Sequence, residues 1–142
     1  MQKKTMDQIE VGDELGPYEY VVTPEMVQKT TEAIEEPNPW YLKNSPFGGP
    51  IAPPTITGND YIEVFATKYE RGLPVHTKAE HEFLNPVRIG KRLIVRGKIA
   101  EKYERKGRDY VVIESVTTDE DGIQIVRSRN HLMLGMKRRD EK

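Results

Sequence analysis

Residues able to move a proton or hold a polar ligand gather in two stretches. The first is Glu35-Glu36-Pro37-Asn38-Pro39-Trp40-Tyr41, which sets a carboxylate, an amide, the only tryptophan and a phenol in one short run. Asn38, between two prolines, most simply holds the loop through backbone hydrogen bonds. Glu36 reads either as an acid–base carboxylate or as a loop acid, and Tyr41 either as a hydrogen-bonding phenol or as a packing partner of Trp40. The second stretch is Ala52-Pro53-Pro54-Thr55. Proline has no N–H to donate, so Thr55 is the first residue after Ala52 that can offer a backbone donor. His76 and His81 lie in one alternating segment, and a period of 2 places them on opposite faces, where they cannot share a metal. His81 falls on the face of Phe83, as a core, interface or cavity-lining residue. His131 reads as surface or rim.

Other chemistries lack their residues. The chain has no cysteine, which removes thiol nucleophiles, disulfides and thiolate metal sites and suits a reducing, cytoplasmic setting. No His/Asp/Glu set has metal-ligand spacing, and there is no Gly-x-Ser-x-Gly turn or Walker loop. With 22 basic and 23 acidic residues, net charge −1, no electrostatic footprint for nucleic acid is present. No apolar run is long enough to span a membrane, and the polar N-terminus is not a secretory signal. The charged fraction of 32% fits either a heat-adapted protein or an ordinary solvated surface.

The 142 residues are the usual size of one domain, and residues 1–142 are read as such, with 1–14 and 136–142 frayed. Leu15 to Val22 reads as a strand. Thr23-Pro24 opens a short helix in which Val27, Thr30, Thr31 and Ile34 share a face and which stops before Pro37. Residues 35–50 form a long loop, taken as functional because it holds the aromatic residues Trp40, Tyr41 and Phe47. One long helix follows, with Gly58, Ile62, Phe65 and Tyr69 on its apolar face and Pro53-Pro54 at its start. From Val75 the chain alternates as four strands in hairpin succession, with turns at Asn85–Gly90, Gly107 and Asp121-Gly122. Asp-Gly is the pair favoured by a type I′ turn, which needs positive φ at its centre. The expected fold is α+β, with about five antiparallel strands wrapped around a central helix. The other sheet face keeps Ile94, Val111 and Ile113, and a partner protomer is the simplest way to bury them. Lys137-Arg138-Arg139 reads as a solvated tail, with a phosphate contact as the rival reading.

Three segments resemble the hot-dog fold in its MaoC-like branch. Glu35-Glu-Pro-Asn-Pro-Trp-Tyr41 is similar to that family's Gly-Asp-x-Asn-Pro-x-His. Phe47-Gly-Gly-Pro-Ile-Ala-Pro-Pro-Thr55 resembles the lead into its helix. Phe83-Leu-Asn-Pro-Val-Arg-Ile-Gly90 resembles its Pro-Val-x-x-Gly-Asp strand end. The resemblance implies hydration or dehydration of acyl thioesters, carried by coenzyme A or acyl carrier protein, without a cofactor or metal. It gives Glu36 and Tyr41 the catalytic Asp and His positions. It gives Asn38, Trp40, Pro53, Pro54, Thr55 and His81 to substrate binding. Tyrosine titrates near 10 against about 6.5 for histidine, and two prolines stand where an N–H would polarise the thioester carbonyl. Together these departures resemble the non-catalytic half of two-part dehydratases, which shapes the acyl site for a partner with an intact Asp/His pair. The implied assembly is a homodimer or a heterodimer with such a subunit. A self-sufficient hydratase or thioesterase using Glu36, and a non-enzymatic scaffold subunit, remain the rival readings.

Overall fold

The computed structural model describes residues 3–135; the charged tail with Lys137–Arg139 lies outside the described residues. Strand β1 (Glu14–Val21) leads into α1 (Pro24–Ala33). The start of α1 is set locally: Pro24 occupies the first turn and the Thr23 hydroxyl accepts the Met26 N–H at 3.2 Å. Val27 and Thr31, one turn apart, are buried. Ile34, expected on the same face, caps the helix and is exposed. After the loop come β2 (Ile51–Ala52), a 3₁₀ turn (Pro54–Thr57) and α2 (Asp60–Phe65). Then follow β3 (Val75–Phe83), β4 (Val87–Arg88), β5 (Arg92–Arg105), β6 (Arg108–Asp119) and β7 (Gln124–Met133).

Five strands make one antiparallel sheet in the order β1-β5-β6-β7-β3, and β2 pairs with β4 apart from it. The core lies between this sheet and α2. Ile62, Val64, Phe65 and Tyr69 pack on Leu15, Val95, Ile99, Val111, Ile113 and Leu132.

The single long helix expected from Pro53 onward is two short pieces. The run Thr55-Ile56-Thr57-Gly58-Asn59 is rich in β-branched residues and ends on Gly-Asn, all poor helix formers. The chain therefore takes a tight turn, with Gly58 N–H on Thr55 C=O, before restarting at Asn59. Helical turns then continue to Tyr69, whose N–H bonds Phe65 C=O.

Val111 and Ile113 are also corrected. The register pairs Ile99 with Ile113 and Val95 with Thr117, which puts Ile113 and Val111 beneath α2. The opposite face carries an ion-pair lattice, in which Arg129 bonds both Glu101 and Glu114 and Lys98 lies 3.7 Å from Glu114. That face is solvated and does not require a covering protomer.

The two hairpins exchange roles. Lys106 and Gly107 are both left-handed, the geometry of a two-residue type I′ turn. At Asp121-Gly122 only Gly122 is left-handed. There the Asp119 carboxylate accepts the N–H groups of Asp121 and Ile123 and holds a different turn.

Residues 4–14, expected to fray, are tied down. Lys4 bridges to Tyr69, Ile9 is buried in the core, and Gly12 N–H bonds Ile99 C=O. Among the described residues no helix is long and apolar enough to cross a membrane.

Candidate active site

The loop that carries Glu36 is launched by the end of α1. Glu36 N–H bonds Thr31 C=O at 2.9 Å and Glu35 N–H bonds Glu32 C=O at 3.2 Å, with Glu35 left-handed at φ 53°. This is a Schellman-type stop built on a residue other than glycine, at a cost of about 1–2 kcal/mol in backbone strain. It turns the chain so that Glu36 Oε1 accepts the Asn38 N–H at 3.0 Å, and Asn38 Oδ1 in turn accepts the Trp40 N–H at 3.0 Å. Glu36 and Asn38 thus act first as loop braces. The Trp40 carbonyl accepts the Ile51 N–H at 2.9 Å, tying the loop to β2. The exposed Trp40 ring meets Phe47 edge-on at 6.0 Å.

Tyr41 is half-buried against a second apolar cluster, with Val22, Val27, Ala52, Val87, Leu93, Ile125 and Val126. Ile56 packs on the same cluster, so the loop and the Pro54–Thr57 turn meet there. Pro53 is buried, whereas Pro54 and Thr55 are exposed. Among the described residues nothing accepts the Thr55 N–H, while the N–H groups of Ile56 and Gly58 are used within the turn.

His81 sits apart, on the outermost strand. Its Nδ1 lies 2.8 Å from Ser128 Oγ and its ring 5.9 Å from that of Phe83. His76, expected on the opposite face, lies on the same one. A bulge between His76 and Lys78 adds a residue and resets the alternation. His76 Nε2 is 2.9 Å from Asn130 Oδ1, and its ring stacks on Tyr61 at 4.6 Å. Among the described residues no group of three or more His, Asp or Glu is placed to hold a metal.

The most perturbed carboxyl in the described chain was not singled out by sequence. Asp60, at the start of α2, is 5% exposed. Its Oδ1 accepts the Tyr20 hydroxyl at 2.8 Å and its Oδ2 the Thr117 hydroxyl at 2.7 Å. Burial pushes its pKa up to about 6; the two hydroxyl donors oppose that shift and Glu63 adds to it. Tyr20 packs against both apolar clusters, so this polar group lies between them. Burial, then the Asp60 charge, raise the Tyr20 phenol as well, which keeps it a donor. The available signal was spacing: Asp60 precedes the fully buried Val64 by one turn and so shares its face.

Two grooves of 430 and 670 Å³ cross the sheet, with charged side chains such as Glu80, Arg127, Arg96 and Lys98 among their linings. Neither reaches the loop or the Pro54–Thr57 turn. The chemistry-bearing residues sit at the other side of the sheet, around Tyr41 and Ile56.

A curved antiparallel sheet clasping a short central helix, with an irregular loop delivered to the helix start, is the hot-dog fold. Solved structures agree. A MaoC-like dehydratase from Rhodospirillum rubrum superposes with a TM-score of 0.76 at 20% identity, covering 94% of this chain and 97% of its own. The R-hydratase PhaJ1 from Pseudomonas aeruginosa gives 0.79 at 20%, over 92% and 85%. The HadBC (3R-hydroxyacyl-ACP dehydratase) complex of Mycobacterium tuberculosis gives 0.71 at 21%, over 87% and 96%. No curated protein sequence matches this one. The family model for the FAS1-like dehydratase domain region matches residues 10–128. The chain belongs to that family and shares the hot-dog fold of the MaoC-like dehydratase structures.

Proposed function

We propose that this chain is a MaoC-like subunit for hydration or dehydration of acyl thioesters, and that it shapes the acyl site for a catalytic partner. The placement of Tyr41 carries the reading. Where the family's histidine would move a proton, this chain has a phenol packed on an apolar cluster. General acid–base catalysis contributes about a hundred- to ten-thousand-fold, and a phenol is a far poorer base at neutral pH than an imidazole. Glu36, at the aspartate position, braces Asn38. Pro53 and Pro54 offer no donor to a thioester carbonyl, which leaves Thr55 N–H for that role.

A partner subunit fits the open side of the sheet. α2 packs on β1, β5 and β6, and β3 lies at the sheet edge with all of its residues exposed. A long unpaired edge is a ready template for another chain. That the HadBC dehydratase is a complex agrees with a heteromeric arrangement.

The test is turnover of short enoyl-coenzyme A substrates, followed as loss of enoyl absorbance. The purified chain alone should show little or none. Mixing with a MaoC-like subunit bearing an intact Asp/His pair should raise the rate at least a hundredfold. Robust turnover by the lone chain that is lost in Tyr41→Phe or Glu36→Gln would overturn the proposal in favour of a self-sufficient hydratase. Release of free thiol from saturated acyl thioesters would favour a thioesterase. A fixed partner with no response to any acyl ligand would favour a scaffold.

A further inference from the structure

Five strands about 4.8 Å apart make an inner face roughly 20 Å wide, while a helix with its side chains covers roughly 10 Å. α2 takes the part over β1, β5 and β6. Beyond it, over β7 and β3, runs a strip whose lining changes character. It begins apolar beside the candidate site: Val126 belongs to the Tyr41–Ile56 cluster, and Phe83 lies opposite it. One repeat further along, His81 and Ser128 face each other at 2.8 Å. Beyond them His76 is held at 2.9 Å by Asn130 and stacked on Tyr61 of α2, which closes that end of the strip. Asn130 is fully buried, and its Nδ2 has no hydrogen-bond partner among the described residues.

Such a strip is a poor bed for a hydrocarbon chain. His81 Nδ1 and Ser128 Oγ pair with each other, so an alkyl group laid over them takes the other ring nitrogen, His81 Nε2, out of water and returns it no hydrogen bond. An acyl group with an oxygen at that level gives the His81–Ser128 pair a further partner, and sites built to hydrogen-bond an oxygen reject analogues that lack it. Resting on the acyl-thioester reading above, we infer that this strip sets substrate class. The site takes acyl thioesters with a hydroxyl or keto oxygen beyond the reacting carbons, recognised by His81 and Ser128, with the apolar segment at Phe83 and Val126 accommodating the part nearer the thioester.

Titration calorimetry with hexanoyl-coenzyme A and 5-hydroxyhexanoyl-coenzyme A tests this, on the chain alone and mixed with a catalytic subunit. The hydroxylated thioester should bind about tenfold tighter or more, and the double variant His81→Phe/Ser128→Ala should abolish or invert that preference. Ser128→Ala alone, the milder change, should narrow it. Equal affinities in the unmodified protein, tighter binding of hexanoyl-coenzyme A, or a preference that survives the double variant would overturn the inference. If neither thioester binds, the acyl-thioester reading itself falls, a result distinct from equal binding.

Discussion

Asp60→Asn should erase a pH dependence of stability that the unmodified protein shows between about pH 4 and pH 6. The carboxyl has an ordinary value of 3.8 and is raised to about 6 by burial. Well below pH 4 it is protonated whether the chain is folded or unfolded, and it costs nothing extra. As pH rises from 4 to 6 the unfolded chain ionises first while the folded one keeps its proton. Stability therefore falls mostly across that window, by about 3 kcal/mol in all from well below pH 4 to well above pH 6, and then levels off. The amide isostere cannot ionise. It can still accept from one of Tyr20 and Thr117 and donate to the other. Urea unfolding at pH 4, 5, 6 and 7.5 should show the variant gaining on the unmodified protein by about 3 kcal/mol as pH rises. Parallel profiles would mean that Asp60 does not titrate in this window. Asp60→Ala should lose the pH dependence as well, but lie about 2 kcal/mol below Asp60→Asn at every pH because both hydroxyls lose their acceptor.

Gly16→Ala should be among the most damaging single-methyl changes in the chain. Gly16 is left-handed at φ 93°, and a Cβ there would lie 2.7 Å from the Val95 carbonyl oxygen and 2.9 Å from Val64 Cγ2. The first of these is backbone of the neighbouring strand and the second belongs to a fully buried α2 side chain, so neither can move aside cheaply. The left-handed backbone costs roughly 1–2 kcal/mol and the overpacking another 1–3. A loss of about 3 kcal/mol corresponds to a fall in Tm of about 10 °C for a chain of this size. Gly12→Ala is the control. Its φ is 92°, but nothing lies within 4 Å of the added methyl, so it should lose only about 1–2 kcal/mol. Equal losses at the two positions would show that contact with Val95 and Val64 is unimportant.

The features legible in the sequence are those whose cause is local. Thr23-Pro24 opens α1 because a hydroxyl cap and an N1 proline act within one turn. The strands β5 and β6 show in their alternation because each residue's face follows from its neighbour's. The loop at 35–50 is legible from its prolines and aromatics. What escaped depends on partners distant in sequence. The bulge at His76–Lys78 answers the register of β7, and without it period 2 sends His76 to the wrong face. Asp60 looks like a solvated helix residue until Tyr20 and Thr117, on two other strands, arrive to bind it. Glu35 in a left-handed stop is hidden because glutamate carries none of the usual signal for that conformation. Of the candidate site, the loop's position against the Pro54–Thr57 turn follows from Tyr41 and Ile56 sharing a cluster. The bracing of Asn38 by Glu36 emerges only from coordinates.

The bare outer strand also carries a registration code. Lys78 and Glu80 pair within β3 at 3.0 Å, and Glu82 follows on the same side of the strand. If a second copy of β3 aligns antiparallel about Glu80, Lys78 meets Glu82 but the two Glu80 carboxylates oppose each other. Slipped to centre on Ala79, the same strand sets Lys78 against Glu80 in both directions. Like charges directly opposite are unfavourable and unlike ones favourable, so the edge discriminates between alignments two residues apart. A foreign strand with a basic residue opposite Glu80 would satisfy the first alignment where a twin cannot, so a twin and a foreign strand would settle in different registers.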